Sequence, residues 1–152
     1  PDIAELQSLT DAAVKLLVAG GLDEAAAGRL RTVESAVSDL PMGVLGLADG
    51  NRIVIDVDAS GVGWFVDKSP LNHSEFGLTD DVRYALAPPA FGRVDLLSVI
   101  VHELGHIIGL HHTDDGFMQG TLASGERRLP ALREIDAHFA TFHHLDDLTE
   151  IE

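Results

Sequence analysis

The chain has 152 residues, of which 45% are hydrophobic, and this size and composition are typical of a folded domain with its own core. Its formal net charge of −15, with only ten Lys and Arg residues, argues against binding to nucleic acid or to anionic membrane surfaces, because both require basic side chains. The absence of cysteine excludes disulfides, thiolate metal sites and a cysteine nucleophile. Any transition metal is therefore expected to be bound by nitrogen and oxygen.

The first 40 residues have the apolar periodicity of helices. A first helix, capped by Ser8 or Thr10, is predicted to end at Gly20–Gly21. A second helix is predicted over residues 23–40, because apolar residues recur every three or four positions until Pro41. The amino-terminal part is therefore expected to be helical throughout.

After residue 41 the pattern becomes that of extended strands. The stretches "GVLGLA" and "RIVIDVD" flank a hairpin turn at Asp49–Asn51. Ile53, Ile55 and Val57 alternate with the neighbouring residues, as in a half-buried strand. A further short strand is expected within "GVGWFVD", with Trp64 and Phe65 in the core, and residues 68–92 are predicted to be loop.

Two more helices are predicted in the carboxyl-terminal half. The first begins near Arg93 and contains "RVDLLSVIVHELGHIIG", whose apolar residues recur at helical spacing. The second covers residues 130–142, with Pro130 in its first turn. No apolar run is long enough to span a membrane. We expect a single domain over residues 1–152, and the start at Pro1 without a signal peptide suggests a piece of a longer chain.

The segment "VHELGHIIGLHH" carries the clearest chemical pattern. On a helix, His102 and His106 lie one turn apart on the same face, so both imidazoles can reach one metal ion. Glu103 is one residue further round and can contact a water molecule on that metal. Gly109 is suited to end the helix in a left-handed conformation, and the resulting turn would return His112 as a third nitrogen ligand.

Three neutral imidazoles and one open coordination position are the donor set of a catalytic zinc ion. Such an ion lowers the pKa of its water to about 7 and polarises a carbonyl group. Glu103 is then the predicted general base, which takes the proton of the attacking water and passes it to the leaving nitrogen. The pattern predicts hydrolysis of peptide bonds.

The stretch "HELGHIIGLHH" resembles the metzincin zinc-protease signature HExxHxxGxxH and is most similar to matrixins and serralysins. The resemblance implies that His102, His106 and His112 bind zinc, that Glu103 is the general base, and that Met118 lies below the zinc in a Met-turn. It implies an α+β zincin fold: a small twisted sheet with amino-terminal helices, a long active-site helix and a carboxyl-terminal helix. It also implies a secreted or cell-surface bacterial endopeptidase that acts on peptide or protein substrates.

The sequence also departs from this family pattern. The residues "MQG" stand where many metzincins have a tyrosine that supports the oxyanion, and Thr113 replaces the serine or proline that usually follows the third ligand. The strand expected before the first helix is missing. These departures concern substrate preference and catalytic rate more than metal binding.

Several other residues have a functional and a structural interpretation. Asp56, Asp58 and Asp67 are candidate calcium ligands, although outward-facing strand carboxylates are commoner. His111 is interpreted as an exposed residue or as a neighbour of the ligands. Three histidines near the end of the chain suit either a second metal site or a solvated helix end; they are His138, His143 and His144. Asp114 and Asp115 follow the motif, and a polar turn explains them as well as a ligand role does.

Two alternatives to a general zinc endopeptidase stay open on the sequence. The chain would instead be a zinc-stabilised binding or adhesion module of a large surface protein, or a protease that processes its own parent chain. For the endopeptidase, an extended substrate is expected to pair with an edge strand, for which Gly61–Val66 is the candidate.

Overall fold

The computed structural model describes residues 1–79, 82–136 and 150–151. Its helices are α1 (Ile3–Ala19), α2 (Glu24–Leu30) and α3 (Leu96–Ile107). Its strands are β1 (Glu34–Ser38), β2 (Gly46–Asp49), β3 (Arg52–Asp56), β4 (Trp64–Phe65), β5 (Phe76–Thr79), β6 (Val82–Ala85), β7 (Val94–Asp95), β8 (Glu126–Arg127) and β9 (Glu150–Ile151). This is the mixed α+β class that the sequence predicts, with small sheets.

Helix α1 begins earlier than its apolar pattern indicates. The Asp2 carboxylate accepts the Glu5 N–H at 2.7 Å and the Glu5 carboxylate accepts the Asp2 N–H at 2.9 Å, which forms a capping box. The predicted cap at Ser8 or Thr10 is therefore wrong, and the Thr10 hydroxyl instead donates to the Leu6 carbonyl within the helix. The predicted end is confirmed, since α1 stops at Ala19.

The second predicted helix is only partly correct. Asp23 caps α2 by accepting the Ala26 N–H at 2.8 Å, but α2 ends at Leu30. Residues 34–38, which were expected to be helical, form strand β1 and pair in parallel with β3. Pairing with β3, which lies almost twenty residues further along the chain, outweighs the local apolar period, so that period predicts the wrong element for residues 34–38.

The largest sheet has the strand order β1-β3-β2-β9. Strands β2 and β3 form the predicted hairpin, with Asp49 opposite Arg52 and Gly50 at φ 60°. Ile53 and Ile55 are buried as expected, but β3 ends at Asp56, so Val57 is exposed. One face of this sheet packs on α3, which also contacts α1.

The remaining strands form two smaller sheets. Strands β4 and β7 pair in parallel, and Trp64 and Phe65 of β4 are buried, as predicted. Strands β5, β6 and β8 form an antiparallel sheet, so the prediction of loop over residues 68–92 is wrong for residues 76–79 and 82–85. The hairpin lacks a clear alternation because several of its apolar residues face solvent, for example Leu78 and Leu86.

The acidic residues predicted as calcium ligands have structural partners. Asp56 is buried rather than outward-facing, and its carboxylate accepts the N–H groups of Leu40 and Ser60, both at 2.8 Å. Asp58 accepts the Gly61 N–H, and Asp67 pairs with a buried arginine. Among the described residues these three carboxylates do not form a metal-binding group.

The last predicted helix is only partly described. Residues 134–136 are helical, in agreement with the prediction, but residues 130–133 are not, so the predicted start at Pro130 is wrong. The rest of the predicted span, from residue 137, lies outside the described residues. His138, His143 and His144 also lie outside them. In the described part of the chain, no helix combines the length and the apolar character that crossing a bilayer requires.

Candidate metal centre

Two of the predicted ligands lie on the last turns of α3. His102 and His106 are one turn apart, and their Nε2 atoms are 3.1 Å from each other. The helix ends at Ile107, and Gly109 follows with φ 96°, a conformation that favours glycine. The Leu110 N–H donates to the Gly105 carbonyl at 2.9 Å, which closes the helix end and reverses the chain.

This turn brings the third predicted ligand to the other two. The His112 Nε2 atom is 3.1 Å from that of His106 and 3.2 Å from that of His102. Three nitrogens held about 2.0–2.1 Å from one tetrahedral zinc ion would lie roughly 3.3 Å apart. The spacing of the three imidazoles therefore fits a single zinc ion.

The protonation of two imidazoles follows from their second nitrogens. The Nδ1 atom of His102 lies 2.9 Å from the Phe117 carbonyl and that of His106 lies 2.8 Å from the Leu110 carbonyl. A carbonyl oxygen can only accept, so each Nδ1 carries a proton and donates it. Burial, followed by the charge of His106, lowers the pKa of His102 to about 3.

His102 is therefore neutral, and its Nε2 atom presents a lone pair towards the other two imidazoles. Neutral imidazole nitrogens that are fixed by backbone carbonyls are a common zinc donor set. These residues consequently fit the zinc ion that the sequence predicts.

Glu103, the predicted general base, is buried beneath strand β2. It has no solvent-exposed surface, and it lies below Gly46, the first residue of β2. A Cβ atom added to Gly46 would lie 3.1 Å from both Cγ and Oε1 of Glu103 and 3.0 Å from Val99. The backbone of β2 thus passes directly over the carboxylate, and glycine at position 46 permits this approach.

Met118, the predicted Met-turn residue, is fully buried. Its side chain packs against Gly105 of α3, and its carbonyl accepts the Thr113 N–H at 3.1 Å. Residue 117 supplies the carbonyl that fixes His102. The segment around Met118 therefore supports both α3 and the turn that carries His112.

The contact between Gly105 and Met118 predicts a sensitive position. A Cβ atom at Gly105 would clash with the Met118 Sδ atom, and Met118 cannot move aside easily because it is fully buried. We expect Gly105→Ala to lower the free energy of unfolding by about 1–2 kcal/mol and to weaken zinc binding. Urea unfolding and zinc titration measure the two effects.

Gly28 of α2 is the matched control for this substitution. A Cβ atom there meets nothing within 4 Å, so Gly28→Ala should stabilise the protein by about 0.5–1 kcal/mol through helix propensity alone. If both substitutions stabilise the protein, the packing of Met118 against α3 does not have the role inferred here.

A buried arginine connects the segment after Met118 to the beginning of α3. The Arg127 side chain donates to both oxygens of Asp95 at 2.8 and 2.9 Å, to Asp67 at 2.8 Å and to Nδ1 of His73 at 3.0 Å. Its guanidinium also lies 4.3 Å from the centre of the Phe76 ring. This network joins four segments of the chain beside the beginning of α3.

The charges of the network agree with its hydrogen bonds. Burial alone would lower the pKa of Arg127, but Asp95 and Asp67 raise it above its ordinary value. Burial and the charges of Arg127 and Arg83 lower the pKa of His73, which is consistent with a neutral ring that accepts a hydrogen bond. This network is not predictable from the sequence, because nothing in the local pattern around residue 127 indicates a buried cation.

The other candidate residues do not join the three histidines. His111 is half-buried next to the third ligand, and Asp114 and Asp115 are exposed. Gly120, in the "MQG" segment, lies against the His112 ring, where a Cβ atom would be 3.1 Å from Nδ1. The backbone carbonyls that hold His102 and His106 were also missed, because a carbonyl leaves no mark in a sequence.

The family model described as Peptidase_M10, Matrixin, matches residues 49–139, which is more than half of the chain and includes all five predicted site residues. No curated protein and no solved structure matches the chain significantly.

Proposed function

Because the chain belongs to the matrixin family of zinc metallopeptidases, we propose that it is an endopeptidase with one zinc ion at His102, His106 and His112. The observation that carries this proposal is the convergence of three Nε2 atoms within 3.1–3.2 Å of one another. Extended peptides and unfolded protein segments are the proposed substrates.

A zinc ion bound at this site would polarise the substrate carbonyl and lower the pKa of a water molecule. The role of Glu103 is to accept a proton from the attacking water as its oxygen bonds to the carbonyl carbon. When the carbon–nitrogen bond breaks, Glu103 returns that proton to the leaving nitrogen, so that a carboxyl group and an amine are formed. Its position directly after the ligand His102 supports this role.

Backbone groups of the protein hold the proposed ligands in position for this reaction. The carbonyls of Phe117 and Leu110 hold the two helical imidazoles in the tautomer that binds metal. We assign Met118 to the Met-turn, where its packing against Gly105 fixes the base of the site. These contacts keep the ligands in place while substrate enters and product leaves.

Strand β2 is the best supported position for an extended substrate. It lies over Glu103, the proposed base, which is the reason for preferring it to the earlier candidate Gly61–Val66. A peptide paired with the edge of β2 would form main-chain hydrogen bonds that do not depend on its sequence. Its scissile bond would then pass close to the proposed base.

The second candidate function is a zinc-stabilised binding module without proteolysis. The complete burial of Glu103 favours it, since a buried carboxylate does not meet substrate until the cleft opens. Both candidates share the zinc ion and differ in turnover.

Removal of the metal tests the proposed function. The zinc-loaded chain is expected to cleave members of a mixed peptide library, and a chelator is expected to abolish cleavage until zinc is restored, because the three imidazoles alone cannot polarise a carbonyl. Mass spectrometry of the products measures this. Cleavage that persists without metal contradicts the proposal, and stoichiometric zinc without any cleavage supports the binding module.

A further inference from the structure

Strand β9 pairs with the edge of β2 that is not bonded to β3. It pairs in an antiparallel arrangement, with Ile151 opposite Gly46 and Glu150 opposite Leu47. The other edge of β2 is bonded to β3. Both edges of β2 are therefore paired, and a further strand cannot join β2 at these residues unless β9 leaves.

The pairing with β9 lies beside the proposed catalytic residues. Gly46, the partner of Ile151, is the residue whose backbone lies over Glu103. Helix α3 contacts β9 as well as β2. In this arrangement neither His102 nor Glu103 has any solvent-exposed surface. The segment Glu150–Ile151 thus lies next to the position where a scissile bond would have to pass.

Segment 150–151 also has the form expected of a peptide ligand on this edge. It is extended, it runs antiparallel to β2, and it is held through the backbone. An extended substrate would use the same backbone groups of Gly46 and Leu47. The segment and a substrate therefore exclude each other.

We propose that residues 150–151 are an intramolecular competitor of the substrate, which occupies the peptide-binding edge of β2 until a substrate displaces them. This inference rests on the proposed peptidase function. Its ladder has only two residue pairs, and so short a strand opens at low cost. The chain is then a peptidase whose apparent affinity for substrate is reduced by the fraction of molecules in which the edge is covered.

A double substitution that removes strand pairing tests this competition. Proline lacks a backbone N–H and fixes φ, so E150P/I151P prevents β9 from pairing with β2. The matched control is E150T/I151V, which places strand-favouring residues at the same positions. Both are made in the full chain, loaded with zinc and assayed with extended peptide substrates.

We expect E150P/I151P to lower KM about tenfold with little change in kcat, if the edge is open in roughly 10% of molecules. The control should keep the KM of the parent. An occupant that only competes alters binding and not the chemical step. If β9 merely stabilises the sheet, the proline variant will instead lose thermal stability and kcat, and its KM will not fall; that result overturns the inference.

A binding measurement separates this inference from the proposed function. The labelled peptide DDLTEIE, which is residues 146–152, is added to the zinc-loaded chain in a Glu103→Gln background, and its anisotropy is followed. We expect it to bind the proline variant about tenfold more tightly than the parent or the control. Tighter binding with no turnover by any zinc-loaded chain would uphold the occupied edge and reject the peptidase. Turnover with equal KM and equal peptide binding in all chains would uphold the peptidase and reject the occupied edge.

If the proline variant does not fold, the parent chain still decides the question. Unlabelled DDLTEIE should then inhibit hydrolysis by raising the apparent KM alone, because it competes for the same edge. Inhibition that lowers kcat instead, or the absence of inhibition at concentrations above KM, overturns the inference.

Discussion

Substitution of Glu103 by glutamine is expected to lower kcat for peptide hydrolysis by about two to four orders of magnitude. The amide keeps the shape of the side chain but cannot accept the proton of the attacking water. Zinc content should stay at the parent level, because none of the three converging nitrogens belongs to Glu103. Peptide turnover and metal analysis on the same sample measure the two quantities.

Glu24→Gln is the control for the removal of a carboxylate. Glu24 lies on the surface of α2, where it pairs with Arg31, and its side chain is 73% exposed. We expect this variant to hydrolyse peptides at the parent rate. If Glu103→Gln hydrolyses peptides as fast as Glu24→Gln does, proton transfer through Glu103 is not part of the reaction.

The substitution Arg127→Met is expected to lower the free energy of unfolding by about 3–5 kcal/mol. Methionine fills much of the space but leaves the carboxylates of Asp95 and Asp67 buried without their cation. An unpaired buried charge is costly because the protein interior solvates it poorly. Urea unfolding of the zinc-loaded protein measures the loss.

Arg31→Met removes the same charge from the surface. The pair of Arg31 with Glu24 is solvent-exposed, and such pairs contribute about 0–1 kcal/mol. The two variants should therefore differ clearly in their urea midpoints. Equal midpoints would mean that the network around Arg127 does not hold the segment after Met118 to α3.

The arrangement of the three histidines could be predicted from the sequence because its geometry is local. The spacing of His102 and His106 is a property of any helix, and Gly109 marks the turn that returns His112. The hairpin at Asp49–Asn51 is predictable for the same reason, since its strands are neighbours in the chain. In each of these cases the sequence near the element specifies its conformation.

The features that the sequence did not predict depend on distant partners. Strand β1 pairs with β3, and β2 lies between these two strands in the sequence. The helical period of residues 34–38 therefore gives no sign of this pairing. Arg127 is buried by residues from three other segments, among them Asp67 and Asp95. The pairing of β9 with β2 joins residues about one hundred positions apart. Such contacts can be identified only from the folded structure, because no local sequence pattern encodes them.

The most direct test of the proposed zinc site is an anomalous-difference map of zinc-loaded crystals, recorded on both sides of the zinc absorption edge. We expect one peak, bound by the Nε2 atoms of His102, His106 and His112, with the remaining coordination position not taken by a protein side chain. A map without a peak among these three imidazoles would contradict it, as would a permanent fourth protein ligand. The second result would retain a structural zinc ion but remove the hydrolytic function.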